Sequence, residues 1–164
     1  MTKANENDYF NTGRMADIIL TLKELWKNSD EEYGRLIDKM IDHLIRDESD
    51  YIVPKKKSRN VEEKEKEFGS LKGLHRNQIK SRNQKLSSEI RLEHGLTIYE
   101  AIEKCKENCN SKTEIEAVLE ESKNSLNYIT KEEDARLGKK FSKDRPDGFE
   151  AAYIECDIHL VNNI

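Results

Sequence analysis

The chain has 164 residues, 35% of them hydrophobic and 38% charged, against roughly 45–50% and about 25% in typical soluble domains. This length fits one domain or two very small ones. The sequence has no apolar run of the about 18 residues that a membrane span requires, and its polar N-terminus, Met1 to Asn11, predicts neither a signal peptide nor an anchor. Three cysteines are unlike a disulfide framework, so we expect a cytoplasmic protein.

The charges are segregated along the chain. Residues 1–50 carry 7 Lys and Arg against 12 Asp and Glu, residues 51–95 carry 12 against 6, and residues 96–164 carry 10 against 15. A positive block between two acidic blocks indicates a surface for a negatively charged partner.

The N-terminal third predicts a helical hairpin. Residues 1–12 have the composition of a frayed leader. Apolar residues at spacings of three and four then run from Met15 to Trp26 and from Tyr33 to Ile45, which is typical of two amphipathic helices.

The break between these helices is short, and Ser29 with Glu32 fits a capping box. We therefore expect residues 1–53 to form an antiparallel hairpin. Its apolar stripe packs either on the rest of the chain or on a second copy, which makes 14–46 a candidate homodimer interface.

The middle of the chain is strongly basic. Residues 54–70 are almost all polar or charged and predict a solvated charged linker or a mobile helix. Leu74 to Glu93 predicts one long basic helix, with Gly95 as its C-cap.

The C-terminal part predicts short helices. Three capping-box spacings, Thr97–Glu100, Ser111–Glu114 and Thr130–Glu133, each precede apolar periodicity. They predict helices over 98–109, 112–127 and 131–140, and a last helix starts near Pro146. Residues 71–164 are thus interpreted as a helical bundle, and with no two-residue alternation the whole chain is predicted to be all-α.

Residues 113–131 resemble the helix-turn-helix family. The apolar residues Ile115, Leu119, Leu126 and Ile129 fall where two short helices face each other. This resemblance implies that Ser122 caps a second helix, and that polar residues of 123–129 read a DNA major groove: Lys123, Asn124, Ser125, Asn127 and Tyr128.

The same stretch departs from that family at three carboxylates. Glu116, Glu120 and Glu121 stand where the family has a small apolar residue, glycine and an apolar residue. Carboxylates also repel DNA phosphates. One continuous amphipathic helix over 112–127 is the alternative that these residues favour.

The basic segment is the leading candidate for a nucleic-acid surface, because Lys and Arg side chains release counterions from phosphates. Without an aromatic residue between Phe68 and Tyr99, base stacking has no support there. With the 123–129 stretch included, the predicted nucleic-acid-binding residues are Lys55, Lys56, Lys57, Arg59, Lys72, Arg76, Lys80, Arg82, Lys85, Lys123, Asn124 and Asn127.

Two further chemistries are weaker. Cys105, Cys109, Cys156 and His159 have the residue types of a zinc site, but the spacing of four is unusual and a buried free cysteine is ordinary. His75 is a conceivable nuclease base, although no catalytic motif accompanies it. We therefore predict no metal, no cofactor and no catalytic residue.

The sequence thus predicts a small non-enzymatic nucleic-acid-binding protein, a regulator or accessory factor of the kind that mobile elements carry. The alternative is a protein–protein interaction module, an inhibitor or adaptor. Its acidic helices would cover a basic site on a larger partner, with a continuous acidic face built from Glu103, Glu107, Glu114, Glu120 and Glu121.

Overall fold

A computed structural model describes residues 11–141 and 145–163, so nearly all of the predicted leader lies outside the described residues. Within them the helices, in chain order, are α1 (Thr12–Lys27), α2 (Glu31–Ser49), α3 (Arg59–Phe68), α4 (Arg76–Arg82), α5 (Gln84–Glu89), α6 (Ile98–Glu107), α7 (Lys112–Asn124), α8 (Lys131–Lys140) and α9 (Gly148–Glu155). The strands are β1 (Lys56–Ser58), β2 (Ile90–His94), β3 (Leu126–Thr130) and β4 (Leu160–Asn162).

The prediction of an all-α fold is wrong. Of the described residues 66% are helical, but their four strands form one mixed sheet in the order β2-β3-β1-β4. Strand β3 pairs antiparallel with β2 and parallel with β1, and β1 pairs antiparallel with β4. All five β3 residues are buried. The sequence of β3 therefore lacks the apolar–polar alternation of a half-exposed strand, and its apolar residues continue the helical spacing of α7.

Three clusters of buried apolar residues hold the fold together. The first joins α1 and α2 to α6 and α7. The second lies under α3, α4 and α5 against Tyr128 of β3, and the third lies around Ile129 under α8 and α9. Because Tyr128 and Ile129 are successive strand residues, their side chains serve opposite faces of the sheet.

The helical hairpin is confirmed, but it does not form a separate unit. Met15, Ile19, Ile37 and Ile41 share the first core with Ile102 of α6 and its neighbours. The cap of α2 is shifted by one residue from the prediction, since Asp30 accepts a bond from the Tyr33 backbone N–H at 2.9 Å. The three capping boxes at Thr97, Ser111 and Thr130 are confirmed.

The predicted linker over 54–70 is instead an integral part of the sheet layer. It contains the inner strand β1 and helix α3, whose Val61 is fully buried. The Ser58 hydroxyl donates to the Glu133 carboxylate of α8 at 2.6 Å. These long-range contacts order a segment that has few apolar residues of its own.

The predicted long helix over Leu74–Glu93 is also wrong. Asn83 ends α4 in a non-helical conformation and its side chain caps α5, accepting from the Leu86 N–H at 3.1 Å. The chain then continues as β2, and Gly95 follows a strand. Among the described residues, no helix has both the length and the apolar character to cross a membrane.

Candidate nucleic-acid interface

Residues 68–92 form one basic layer that covers the second core. Leu71, Ile79, Leu86 and Ile90 anchor the layer by burying their side chains. The segment has a single acidic residue, Glu89. Its basic residues are Lys72, Arg76, Lys80, Arg82, Lys85 and Arg91.

Two of these cations share one carboxylate. Arg76 Nη1 lies 3.1 Å from Asp50 Oδ1, and Lys80 Nζ lies 3.7 Å from Asp50 Oδ2. Arg76 and Lys80 are four residues apart and therefore neighbours on α4. Both pairs are substantially exposed, where such an interaction contributes little stability. Both side chains can therefore exchange Asp50 for another anion at small cost.

Three other cations of the layer have no ionic partner in the part of the chain that the structure describes. No carboxylate of the described residues lies within 4.0 Å of Lys72, Arg82 or Lys85, and all three side chains are exposed. Arg82 projects about 160° around α4 from Lys80, given about 100° per helical residue. The layer is thus a broad positive surface and not a single stripe.

Arg91 completes a small positively lined cavity. The cavity measures about 50 Å³ and is lined by Arg76, Lys80 and Arg91, with Tyr128 of β3 also in its wall. Burial raises the pKa of the Tyr128 hydroxyl, which donates to the Leu74 carbonyl at 3.0 Å. Three cations around one cavity suit a phosphate group. The sequence prediction placed Arg91 on the same helix as Arg76 and Lys80 and did not include it among the binding residues.

His75, the conceivable nuclease base, makes contacts that support the start of α4. It is the N-cap residue of α4. Its Nδ1 lies 3.1 Å from the Asp50 carbonyl oxygen, and its ring centroid lies 5.5 Å from that of Tyr51. These contacts fix the start of α4 beside Asp50.

The remaining predicted residues lie outside the basic layer. Lys55 donates to the Asn124 side chain at 2.8 Å, beside the C-terminal end of α7. Lys123 pairs with the buried Glu48 at 2.7 Å and with Glu120 at 3.3 Å. Lys56 and Arg59 are exposed at the start of β1 and α3.

Two predicted residues are excluded from any surface. Lys57 is buried and pairs with Glu65 at 2.6 Å. Asn127 is 2% exposed and donates to the Ser125 carbonyl at 2.6 Å and the Tyr153 hydroxyl at 3.1 Å. The proposed recognition helix over 123–129 is wrong because residues 126–130 form β3.

The acidic residues of the rival interpretation are largely paired within the chain. Glu103 lies 3.0 Å from Lys106, and Glu121 accepts two bonds of 2.8 Å from Lys104. Backbone bonds at the start of α7 lower the pKa of Glu114. Glu114 thus stays ionised, whereas the lysine pairs of Glu103 and Glu121 make the face less negative than its composition indicates.

Cys156 lies apart from the other two cysteines. Cys105 and Cys109 are buried in the first core, and Cys156 is buried in the third. Burial raises the pKa of the Cys105 thiol to about 12, which favours the protonated form. Across 11–141 and 145–163, no three His, Cys, Asp or Glu side chains are arranged to hold a metal ion.

Comparison with known proteins gives no relative: no family model, no curated protein and no solved structure matches this chain.

Proposed function

We propose that this protein is a small non-enzymatic regulator or accessory factor that binds nucleic acid through its basic layer. The observation that carries the proposal is the concentration of six Lys and Arg residues against one Glu over residues 68–92. Four apolar anchors attach this segment to the second core, so its charges lie together on one surface layer.

The chemistry is counterion release from phosphates. Each Lys or Arg that neutralises a phosphate frees condensed cations, which gives affinity without sequence preference. Lys72, Arg82 and Lys85 are available for such contacts because they have no carboxylate partner in the described part of the chain. Arg76 and Lys80 become available when a phosphate displaces Asp50, and the cavity they share with Arg91 fits one phosphate oxygen.

A basic protein partner is the second candidate. It is favoured by a cavity of about 470 Å³ whose wall includes Glu100, Glu103, Glu107 and Glu121. Lys104 lies in the same wall and already neutralises Glu121. We therefore rank this candidate below nucleic acid.

The test is fluorescence anisotropy with a labelled random DNA duplex, a labelled single strand and labelled polyglutamate across a salt series. We expect both nucleic acids to bind, with affinity that falls steeply as salt rises. Polyglutamate should bind more weakly than the duplex, because it carries about one charge per 3.3 Å of extended chain, against one per about 1.7 Å of duplex axis. Absence of nucleic-acid binding at about 50 mM salt, where non-specific attraction is strong, would contradict the proposal.

We also propose that the hairpin over 14–46 associates with a second copy. After packing of the first core, five large apolar side chains of α1 and α2 remain between 45% and 60% exposed, namely Ile18, Leu25, Tyr33, Leu36 and Met40. Ten such half-exposed groups per dimer contribute about 10 kcal/mol at about 1 kcal/mol each, against an association cost of about 4–15 kcal/mol.

We therefore expect a weak dimer. Analytical ultracentrifugation should show an average mass that rises with protein concentration, and the double variant Leu36→Glu with Met40→Glu should remove this rise.

A further inference from the structure

The small cavity of the basic layer lies directly on the second core. Its apolar and aromatic lining residues belong to that core or pack against it, namely Ile79, Ile90, Leu92 and Tyr128. Ile79 and Tyr128 are at most 1% exposed, so the cavity is closed on this side. A nucleic-acid strand therefore cannot pass through the cavity and has to present a phosphate group to it from the surface.

The polar side of the cavity brings donors from three elements together. Arg76 and Lys80 come from α4, Ser87 from α5 and Arg91 from β2. The Ser87 side chain is partly exposed, and its hydroxyl has no hydrogen-bond partner among the described residues. Lysine, arginine and serine side chains are the usual donors to phosphate oxygens.

Arg91 is oriented by the backbone next to it. Its Nη1 donates to the Ile90 carbonyl at 2.8 Å and, more weakly, to the Ser88 carbonyl at 3.4 Å. The planar guanidinium is therefore positioned before a ligand binds. Its Nε and Nη2 have no acceptor in the described part of the chain, so this side chain keeps donors for a phosphate.

Positive charge around the cavity exceeds negative charge by two. Arg76, Lys80 and Arg91 supply three positive charges, and Asp50 is the one carboxylate of the described residues that pairs with any of them. An internal phosphodiester carries one negative charge. A terminal phosphate monoester carries about −1.5 to −2 at pH 7 and has three acceptor oxygens. The monoester therefore matches the excess charge better than the diester.

We propose that this cavity receives the terminal phosphate of a nucleic-acid strand, so that the protein prefers phosphorylated strand ends. One oxygen enters the cavity, the three cations balance the charge, and Ser87 donates a hydrogen bond. The strand behind the phosphate lies on the exposed cations of the basic layer. This inference rests on the proposed function, because the layer has to bind the strand.

The test compares short single strands of one sequence that differ only at their ends. One strand has hydroxyl groups at both ends, one has a 5′ phosphate and one has a 3′ phosphate, and each carries its fluorophore internally. Anisotropy is measured with the full chain at neutral pH and physiological salt, where non-specific binding is weak. We expect a phosphorylated strand to bind about tenfold more tightly than the hydroxyl strand, the effect of one hydrogen bond to a charged group.

A fourth strand controls for the added charge alone. It is two nucleotides longer and has hydroxyl ends, so its two further phosphodiesters carry at least the charge of one terminal phosphate. We expect this strand to bind much less tightly than the phosphorylated one, because its extra charge is not placed at the cavity.

Two variants of equal charge test the cavity itself. Arg91→Gln should remove the preference for a phosphorylated end. The matched control is Arg82→Gln, which removes an exposed cation of α4 that does not line the cavity; it should weaken the binding of all strands alike and keep the preference. Ser87→Ala should reduce the preference without lowering stability, because alanine favours the α5 helix.

Three results would each overturn the proposal although nucleic acid still binds. They are equal affinity for hydroxyl and phosphorylated strands, an equal gain from the longer strand, and an unchanged preference in both Arg91→Gln and Ser87→Ala. Failure of all strands to bind at about 50 mM salt would contradict the proposed function itself, and this inference with it.

Discussion

Replacing Lys72, Arg82 and Lys85 together with alanine should roughly halve the salt dependence of nucleic-acid binding and leave the fold intact. All three side chains are exposed and lack a carboxylate partner in the described part of the chain. Their truncation therefore breaks no ion pair. Arg76, Lys80 and Arg91 remain around the small cavity and keep their contacts.

The magnitude follows from the number of phosphates that the layer can neutralise. With one phosphate for each of six cations, the logarithm of the affinity falls with the logarithm of salt concentration at a slope of about −5.4. Between about 50 and about 200 mM salt, this slope lowers the affinity about 1,800-fold. With three cations removed, the slope is about −2.7 and the loss about 40-fold.

The assay is anisotropy of one labelled duplex, titrated at several salt concentrations with both proteins. The control variant removes three exposed cations from other elements, Arg14, Lys131 and Lys139, which have no carboxylate partner among the described residues, and so has the same net charge. We expect the control to keep nearly the full slope. Equal slopes for the two triple variants would show that total charge, and not the basic layer, determines binding, and would refute the reasoning.

Three further outcomes are expected, two from single substitutions and one from a change of pH. Asp50→Asn should raise nucleic-acid affinity several-fold at low salt, because it removes the carboxylate that Arg76 and Lys80 share; unchanged anisotropy titrations would count against the cavity as a phosphate site. Glu133→Ala should lower the free energy of unfolding, measured in urea, by about 3 kcal/mol. The Glu133 carboxylate is 1% exposed and accepts bonds from Ser58, Asn60 and the Thr130 N–H. Substitution of the exposed Glu132 by alanine is the control. Burial lowers the pKa of His94 from 6.5 to about 4. Between these two pH values the unfolded chain binds a proton at His94 that the folded chain does not bind. Acidification from about pH 6.5 to about pH 4 should therefore cost up to about 3 kcal/mol of stability. Urea titrations should show this loss, and His94→Asn, but not the exposed His43→Gln, should remove it.

Sequence patterns that involve residues close together along the chain predicted the helices well. The boxes at Thr97, Ser111 and Thr130 each join an N-cap to the residue three positions later, and a single sequence contains everything such a cap needs. The hairpin was also predictable, because its apolar spacing spans two long helices. Helix α7 was predicted to run to residue 127, and it ends at Asn124.

The sheet could not be read in the same way, because its strands depend on distant partners. Lys56–Ser58 has no strand-like composition, and β1 exists because β3 and β4 pair with it. Leu126–Thr130 has apolar residues at helical spacing, but burial on both faces makes it a strand. The error over 54–70 has the same origin: Ser58 and Glu133 are separated by 75 positions and meet only in the fold.

The candidate interface is a consequence of this tertiary pairing. Arg91 lines the cavity with Arg76 and Lys80 because β2 pairs with β3, which sets Leu92 beside Tyr128 in the cavity wall, and the Arg91 guanidinium donates back to the Ser88 and Ile90 carbonyls. A continuous helix over 74–93 would instead place Arg91 fifteen residues beyond Arg76 along one rod, about 22 Å away. The sequence alone therefore reveals the positive charge of the segment, whereas the convergence of three cations on one cavity depends on Asn83 breaking the helix and on β3 receiving the strand that follows.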